Sequence, residues 1–274
     1  MNLSTQIQLS GTYLKNNGIE NAEAAVVLGT GLNKLLKYIN IRQTIPYSDI
    51  PHFPEATVEF HKGNLIYGQI GKTSVLVMQG RFHYYEGYTM QQITFPIRVM
   101  KALGVKSLFL SNAAGGMNPE YKKSDLVLIK DHINLQPESP LCGINDPESG
   151  KRFVDMSCPY DKFLSEKLKA ESRKQGISVK EGTYVAVSGP NLEARAEYHY
   201  LRNIGADMVG MSTVPEVIVA NEIGLPCAAV SVITDECDPD HLQPADINDI
   251  IATAKQADEK LSPLFAGIIG RQDK

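Results

Sequence analysis

The 274-residue sequence has no tryptophan, few cysteines and no excess of basic residues. Its four cysteines (Cys142, Cys158, Cys227 and Cys237) are irregularly spaced and form no CxxC pair. That spacing indicates neither a zinc site nor a disulfide framework, so the expected compartment is the reducing cytoplasm. Lys plus Arg number 27 against 31 Asp plus Glu, a net charge of -4. A general nucleic-acid binder would carry a basic excess instead.

Long apolar runs are also missing. No run approaches the roughly 18 residues that a membrane span requires. The N-terminus has neither the basic start nor the apolar region of a signal peptide, so no membrane association is expected. Hydrophobic residues make up 43% and charged residues 21% of the chain, which is typical of a globular protein. We therefore expect one domain covering residues 1–274.

Short apolar runs alternate with amphipathic stretches along the chain, which predicts an α/β fold with a largely parallel sheet. Strands are predicted at residues 24–28, 65–70, 74–78, 107–111, 126–130, 184–188, 208–211 and 227–234, and helices at residues 3–16, 89–103, 161–174, 192–203, 214–223 and 247–265. Gly71 and Lys72 form the predicted turn of a hairpin. In such folds, ligands bind at the carboxyl ends of the strands.

Two segments that follow predicted strands carry groups suited to an anion. The segment Gly29-Thr30-Gly31 precedes a predicted helix and offers backbone N–H groups and a hydroxyl. It lacks the third glycine of a dinucleotide fingerprint, and a structural turn fits the pattern equally well. Arg81 and His83 lie on one side of an extended segment. They could reach one anion together, or be a solvated arginine beside a packed histidine.

Ser212 precedes a predicted helix in which Thr213 and Glu216 have the spacing of a capping box. The serine either faces an anion at the helix start or serves as part of the cap. Residues 112–116 (NAAGG) allow either close approach of a flat ligand or a tight turn. His61, at a strand end, is either a ligand or a packed histidine.

Two carboxylates also follow predicted strands. Asp235 lies directly at the carboxyl end of the strand predicted at 227–234. Glu193 comes shortly after the strand predicted at 184–188 and could reach the same crevice. The acidic residues 235–241 look like a metal-binding loop but lack EF-hand spacing and its glycine. We therefore expect no metal site.

Five segments together resemble the trimeric purine nucleoside phosphorylases of the nucleoside phosphorylase superfamily. They are VLGTGL at 27–32, GRFHYYEGY at 80–88, SNAAGGMNP at 111–119, SGP at 188–190 and GADMVGMSTVPE at 205–216. The resemblance covers residues 24–265. It implies a single α/β domain with a distorted mixed sheet flanked by helices, and a homotrimer with sites near subunit borders.

The implied reaction is reversible phosphorolysis of purine (deoxy)ribonucleosides, with inorganic phosphate as co-substrate and no metal or organic cofactor. The residues that the resemblance assigns to phosphate are Thr30, His61, Arg81, Phe82, His83, Ala113 and Ser212. Those that it assigns to the nucleoside are Tyr85, Phe153, Leu192, Glu193, Val209, Met211 and Asp235. Phe153 would be lent to a neighbouring subunit's site, and His83 and Asp235 are the candidate catalytic residues.

The sequence departs from this family at two places. Members that prefer 6-oxopurines carry Asn where this chain has Asp235, and His near the position of Ile247. Methylthioadenosine phosphorylases carry Asp and an apolar residue there, whereas Arg81, His83 and Glu193 fit the purine nucleoside enzymes. We expect inosine and guanosine as main substrates with some adenosine. The alternatives are a methylthioadenosine-type phosphorylase and a non-catalytic nucleoside-binding protein.

Overall fold

A computed structural model describes residues 1–57, 62–144 and 150–271; His61 lies outside them. Within these ranges the chain forms one nine-stranded sheet in the order β2-β3-β4-β1-β5-β8-β7-β6-β9. The strands are β1 Ala24–Val27, β2 Asn40–Pro46, β3 Asn64–Ile70, β4 Thr73–Gln79, β5 Ser107–Gly116, β6 Leu126–Asn134, β7 Val179–Ala186, β8 Met208–Gly210 and β9 Cys227–Glu236. The helices are α1 Leu3–Asn16, α2 Met90–Ala102, α3 Lys162–Gln175, α4 Arg195–Asn203, α5 Val214–Glu222 and α6 Ile247–Ile269. In this part of the chain, no helix has the length and apolar character to cross a bilayer.

The sheet is mixed, as the family resemblance implies, and less parallel than the strand–helix alternation predicts. β1 runs parallel to β4 and β5, and β5 runs parallel to β9. The β3–β4 hairpin, with its turn at Gly71 and Lys72, is necessarily antiparallel. The edge strand β2 has a mostly exposed pattern, so the sequence carries no apolar run that would reveal it.

The two faces of the sheet pack against different helices. Ala25 and Val27 of β1 join a hydrophobic cluster with residues of α1, α2 and α5. Ala24 and Val26 join a second cluster, with residues of α3 and α6. All four side chains are therefore buried. This explains why β1 reads as a continuous apolar run rather than an alternating one.

The tight-turn alternative for residues 112–116 is wrong, because β5 continues through them. Gly115 pairs with Asp235 in β9 and with Val209 in β8. A Cβ atom on Gly115 would lie 2.6 Å from the sulfur of Cys237. The glycine thus permits close packing within the sheet rather than a turn, and it brings β5 against the strand that carries Asp235.

The expected helix after Gly31 is absent: the described structure has only a five-residue 3-10 turn, Lys34–Tyr38. Thr30 therefore does not precede an α-helix, and only the backbone and hydroxyl donors of this segment remain.

Candidate active site

A cavity of about 180 Å³ lies at the carboxyl ends of β1, β4 and β5 and against β8 and β9. Most of the residues that the sequence singles out line it, together with Ile247: Thr30, Arg81, His83, Tyr85, Ala113, Leu192, Glu193, Val209, Met211, Ser212 and Asp235. The Phe82 ring is instead buried against Tyr47 and Tyr88. Phe153 is 88% exposed and is not part of this cavity wall.

Arg81 is held in place by a buried carboxylate. Its Nε and Nη2 atoms donate to the two oxygens of Glu216 at 3.2 and 3.1 Å, and Nη1 donates to the Ser111 carbonyl at 2.6 Å. Both side chains are almost wholly buried. The solvated-arginine alternative is therefore wrong: the guanidinium is fixed at the cavity wall by a bidentate ion pair.

His83 is oriented by Glu86, whose Oε1 lies 2.9 Å from the histidine Nδ1. An ionised carboxylate only accepts, so Nδ1 carries a hydrogen and Nε2 is directed elsewhere. The His83 ring stacks on Tyr85 with centroids 4.7 Å apart. Burial lowers the pKa of His83 despite the opposing effect of Glu86, so the imidazole is neutral at neutral pH. Burial raises the pKa of Glu86, but hydrogen bonds from His83 and Thr57 outweigh it and lower the value overall.

The predicted capping box at α5 does not form, because Glu216 pairs with Arg81. Thr213 has no side-chain cap bond and adopts φ 69°, a conformation that a β-branched residue holds only at a cost of order 1–3 kcal/mol. Its hydroxyl accepts from Asn112 Nδ2 at 2.8 Å. The Ser212 N–H donates to the Tyr184 hydroxyl at 3.3 Å. This strained turn sets Ser212 at the cavity wall.

Glu193 and Asp235 line the same stretch of wall, as the sequence predicts. Asp235 accepts hydrogen bonds at both oxygens, from the Thr234 hydroxyl at 2.8 Å and the Cys237 thiol at 3.0 Å. Burial raises the pKa of Glu193, and the nearby charges of Glu197 and Asp235 add to the effect. A second depression of about 480 Å³ shares both carboxylates with the cavity but none of Thr30, Arg81, His83 or Ser212. Glu193 and Asp235 therefore mark one end of the cavity, the carboxylate end. Thr30, Arg81, His83 and Ser212 mark the other, which is called the anion end after the ligand that the sequence predicts there.

Sequence reasoning missed several polar residues of this wall. Tyr198 and Thr234 line the cavity, and Cys237 stands behind Asp235. Asn112 also lines it, and its buried Oδ1 has no hydrogen-bond partner in the part of the chain that the structure describes. Asn112 lies in the SNAAGGMNP segment on which the resemblance rests, and Cys237 lies in the acidic segment 235–241, but neither side chain was assigned a role. For Tyr198 the only signal was its position five residues after Glu193. Within the described ranges no three His, Cys, Asp or Glu side chains are grouped to hold a metal ion.

Comparison with known sequences gives one family match and close relatives. A family model described as "Phosphorylase superfamily" matches residues 23–270. Purine nucleoside phosphorylase 1 of Bacillus subtilis is 46% identical over 85% of this chain and 86% of the relative. The Bos taurus purine nucleoside phosphorylase is 43% identical over 93% of this chain and 90% of its own length.

Solved structures agree with these matches. Isoform 2 of the Schistosoma mansoni purine nucleoside phosphorylase, in complex with cytosine and ribose-1-phosphate, superposes with a TM-score of 0.93 at 39% identity, covering 98% of this chain and 97% of that one. Two further structures each give 0.92 at 38% identity with the same coverage. One is the S. mansoni enzyme with adenosine, and the other a Schistosoma enzyme with hypoxanthine.

Proposed function

Since the chain belongs to the phosphorylase superfamily, we propose that it cleaves purine nucleosides with inorganic phosphate, giving free base and pentose 1-phosphate. The observation that carries this function is the two-ended cavity, which brings Thr30, Arg81, His83 and Ser212 together with the carboxyl groups of Glu193 and Asp235. Inosine and guanosine are the proposed main substrates, with activity on adenosine. Phosphate is the co-substrate, and no other cofactor is part of the proposal.

The anion end is suited to hold phosphate beneath the sugar. Thr30, Ser212 and the Ala113 backbone would supply neutral donors and Arg81 the charge. Cleavage of the glycosidic bond makes the ribose positive, so phosphate held below it stabilises that charge and then forms the new C–O bond. Fixed charges of this kind usually make the largest contribution to catalysis, and alignment of the phosphate adds an orientation effect.

The carboxylate end would bind the purine, which keeps the electron pair of the glycosidic bond when that bond breaks. Glu193 is assigned to the N1 edge and Asp235 to the 6-position and N7, with Leu192 and Val209 along the base. Tyr85 and Met211 border the space between the two ends and are assigned to the sugar. A donor at N7 stabilises the departing base as it becomes negative.

The reaction is tested by incubating the purified chain with inosine in the presence and absence of phosphate. We expect hypoxanthine release only when phosphate is present, with ribose 1-phosphate formed in equal amount. Release without phosphate would identify a hydrolase. Inosine binding without release under either condition would identify a binding protein and contradict the proposal.

A methylthioadenosine-type phosphorylase is the second candidate, because Ile247 lines the cavity where it would meet the sugar 5′ position. An apolar contact discriminates only weakly between a substrate that has a hydroxyl at this position and one that lacks it. We therefore expect 5′-deoxyinosine to be cleaved with a kcat/KM within about tenfold of inosine. Ile247→His is the matched variant and should favour the 5′-hydroxyl. A strict requirement for that hydroxyl in the wild type would rule the Ile247 assignment out.

A homotrimer is also proposed, with Phe153 completing a neighbouring subunit's site. The support is the family resemblance together with the 88% exposure of the Phe153 ring, a large apolar side chain without cover in the single chain. The cytoplasmic location expected from the sequence stays a prediction.

A further inference from the structure

A short chain of hydrogen bonds runs from the buried strand β5 to the wall of the anion end. The Asn112 Nδ2 atom donates to the Thr213 hydroxyl at 2.8 Å. The Thr213 hydroxyl in turn lies 3.2 Å from the hydroxyl of Ser212. Asn112 and Thr213 are almost wholly buried, whereas Ser212 is only partly buried and lines the cavity. The last hydroxyl of the chain is therefore at the surface that would meet phosphate.

The contact between the two hydroxyls can run in either direction, and the Asn112 amide selects one of them. An amide nitrogen only donates, so the Thr213 oxygen accepts from it. Among the described residues, Ser212 is the remaining hydrogen-bond partner of the Thr213 hydroxyl. If Thr213 accepted from both neighbours, its own buried hydrogen would be unmet, which is costly. Thr213 therefore donates to Ser212, and the single hydrogen of the Ser212 hydroxyl is left for the cavity.

The opposite orientation of the amide would reverse the chain. Asn112 Oδ1 would then accept from Thr213, Thr213 would accept from Ser212, and a lone pair of Ser212 would face the anion. That lone pair would oppose the positive charge of Arg81 at the same end of the cavity. In the observed orientation Oδ1 is instead left buried without a partner among the described residues. The unmet oxygen is a cost in stability that accompanies the donor to Thr213.

We propose that Asn112 and Thr213 are positioning residues for phosphate, and that they act by fixing the Ser212 hydroxyl as a donor to the anion. This inference rests on the proposed function. Neither side chain has to touch phosphate, because the effect passes along the chain. A hydroxyl that accepts one hydrogen bond is polarised and donates a stronger one.

The direction of the chain is tested with Ser212→Ala. If Ser212 donates to the anion, this change should raise the KM for phosphate roughly 10- to 150-fold. Calorimetric titration with inorganic phosphate alone should show binding weakened by a similar factor, while the KM for inosine changes by less than about threefold. In a reversed chain the variant would lose a lone pair that repels phosphate. A phosphate KM that is unchanged or lower would therefore overturn the proposal.

The role of Thr213 is tested by a double-mutant cycle with Ser212. Thr213→Val removes the hydroxyl and keeps the branched shape, and should raise the phosphate KM roughly fivefold. In the Ser212→Ala background the same change should raise it by less than about twofold. Thr213→Ser keeps the hydroxyl and should leave the phosphate KM within about twofold of the wild type. Equal effects of Thr213→Val in both backgrounds would show that Thr213 does not act through Ser212.

The role of Asn112 is tested in the same way. Asn112→Leu has a similar shape but no donor, and should raise the phosphate KM roughly fivefold. Combined with Thr213→Val, it should add less than about a further twofold, because the chain is already broken. Independent, multiplying effects of the two changes would contradict a chain that runs through both residues. Since KM does not depend on enzyme concentration, partial loss of folded protein does not affect this comparison.

Thr94→Val is the matched control. Thr94 is a second buried threonine, whose hydroxyl donates to the Met90 carbonyl within α2 and which is not part of the cavity wall. Its replacement should leave the phosphate KM within about twofold. A shift equal to that of Thr213→Val would mean that loss of any buried hydroxyl has this effect, and would refute the inference. Absence of phosphate-dependent inosine cleavage in the wild type would instead overturn the proposed function.

Discussion

Replacing Arg81 with methionine is expected to lower the free energy of unfolding by about 3–5 kcal/mol and to raise the KM for phosphate roughly 10- to 150-fold. The first effect arises because Glu216 would be left buried without its bidentate partner. The second arises because a fixed positive charge would leave the anion end. Urea unfolding and phosphate-dependent kinetics measure the two effects separately.

A matched control separates stability from function. Arg98 and Glu222 form a second buried ion pair, between α2 and α5 and apart from the cavity wall. Arg98→Met should cost a similar amount of stability but leave the phosphate KM within about twofold. If both variants change the phosphate KM equally, Arg81 serves the fold alone and its assignment to phosphate is wrong. The double variant Arg81→Met/Glu216→Gln should recover part of the stability and none of the phosphate affinity.

Replacing Asp235 with asparagine should shift the inosine-to-adenosine ratio of kcat/KM toward inosine by about 5- to 150-fold, the effect of one unmet buried polar group. An asparagine amide always has hydrogens to give to O6 or N7, whereas an ionised aspartate only accepts. The measurement is the ratio of kcat/KM for inosine to that for adenosine, in the wild type and in the variant.

Asp238→Asn is the control for this variant. Asp238 lies three residues further along, in the loop that follows β9; it is exposed, hydrogen-bonded to His241 and not part of the cavity wall. Its replacement should leave the ratio unchanged. A ratio that stays constant in the Asp235 variant, or moves toward adenosine, would show that Asp235 does not contact the 6-position of the base.

The parts of the fold that could be predicted are those marked by a pattern among neighbouring residues in the sequence. β1 is a continuous apolar run because both its faces are buried, and the β3–β4 hairpin is marked by Gly71 and Lys72. β2 was missed because it is a polar edge strand. The path of β5 through residues 112–116 was missed because glycine and alanine indicate loops, while here they are required by close packing against β9.

The candidate site was predictable for residues at strand ends, since sheet geometry alone brings Thr30, Arg81 and Asp235 to one edge. The hydrogen-bond and ion-pair partners of these residues could not be predicted. The spacing of Thr213 and Glu216 predicts a capping box, but a buried guanidinium competes more strongly for the carboxylate. Tyr198 and Cys237 pack in one buried cluster although they are 39 positions apart, one on a helix and one beyond a strand. No local pattern records such a contact.

The path of β5 through the sheet determines how much of the chain must be synthesised before the cavity can form. Its partners are β1, β8 and β9, so the strand at the centre of the cavity is completed by residues near both ends of the chain. Such non-local pairing slows folding. A nascent chain that has emerged only as far as β8 already contains Thr30, Arg81 and His83, but it lacks Asp235 and the strand that supports it. Substrate bound at both ends of the proposed site can therefore stabilise by mass action only a chain whose synthesis has passed β9.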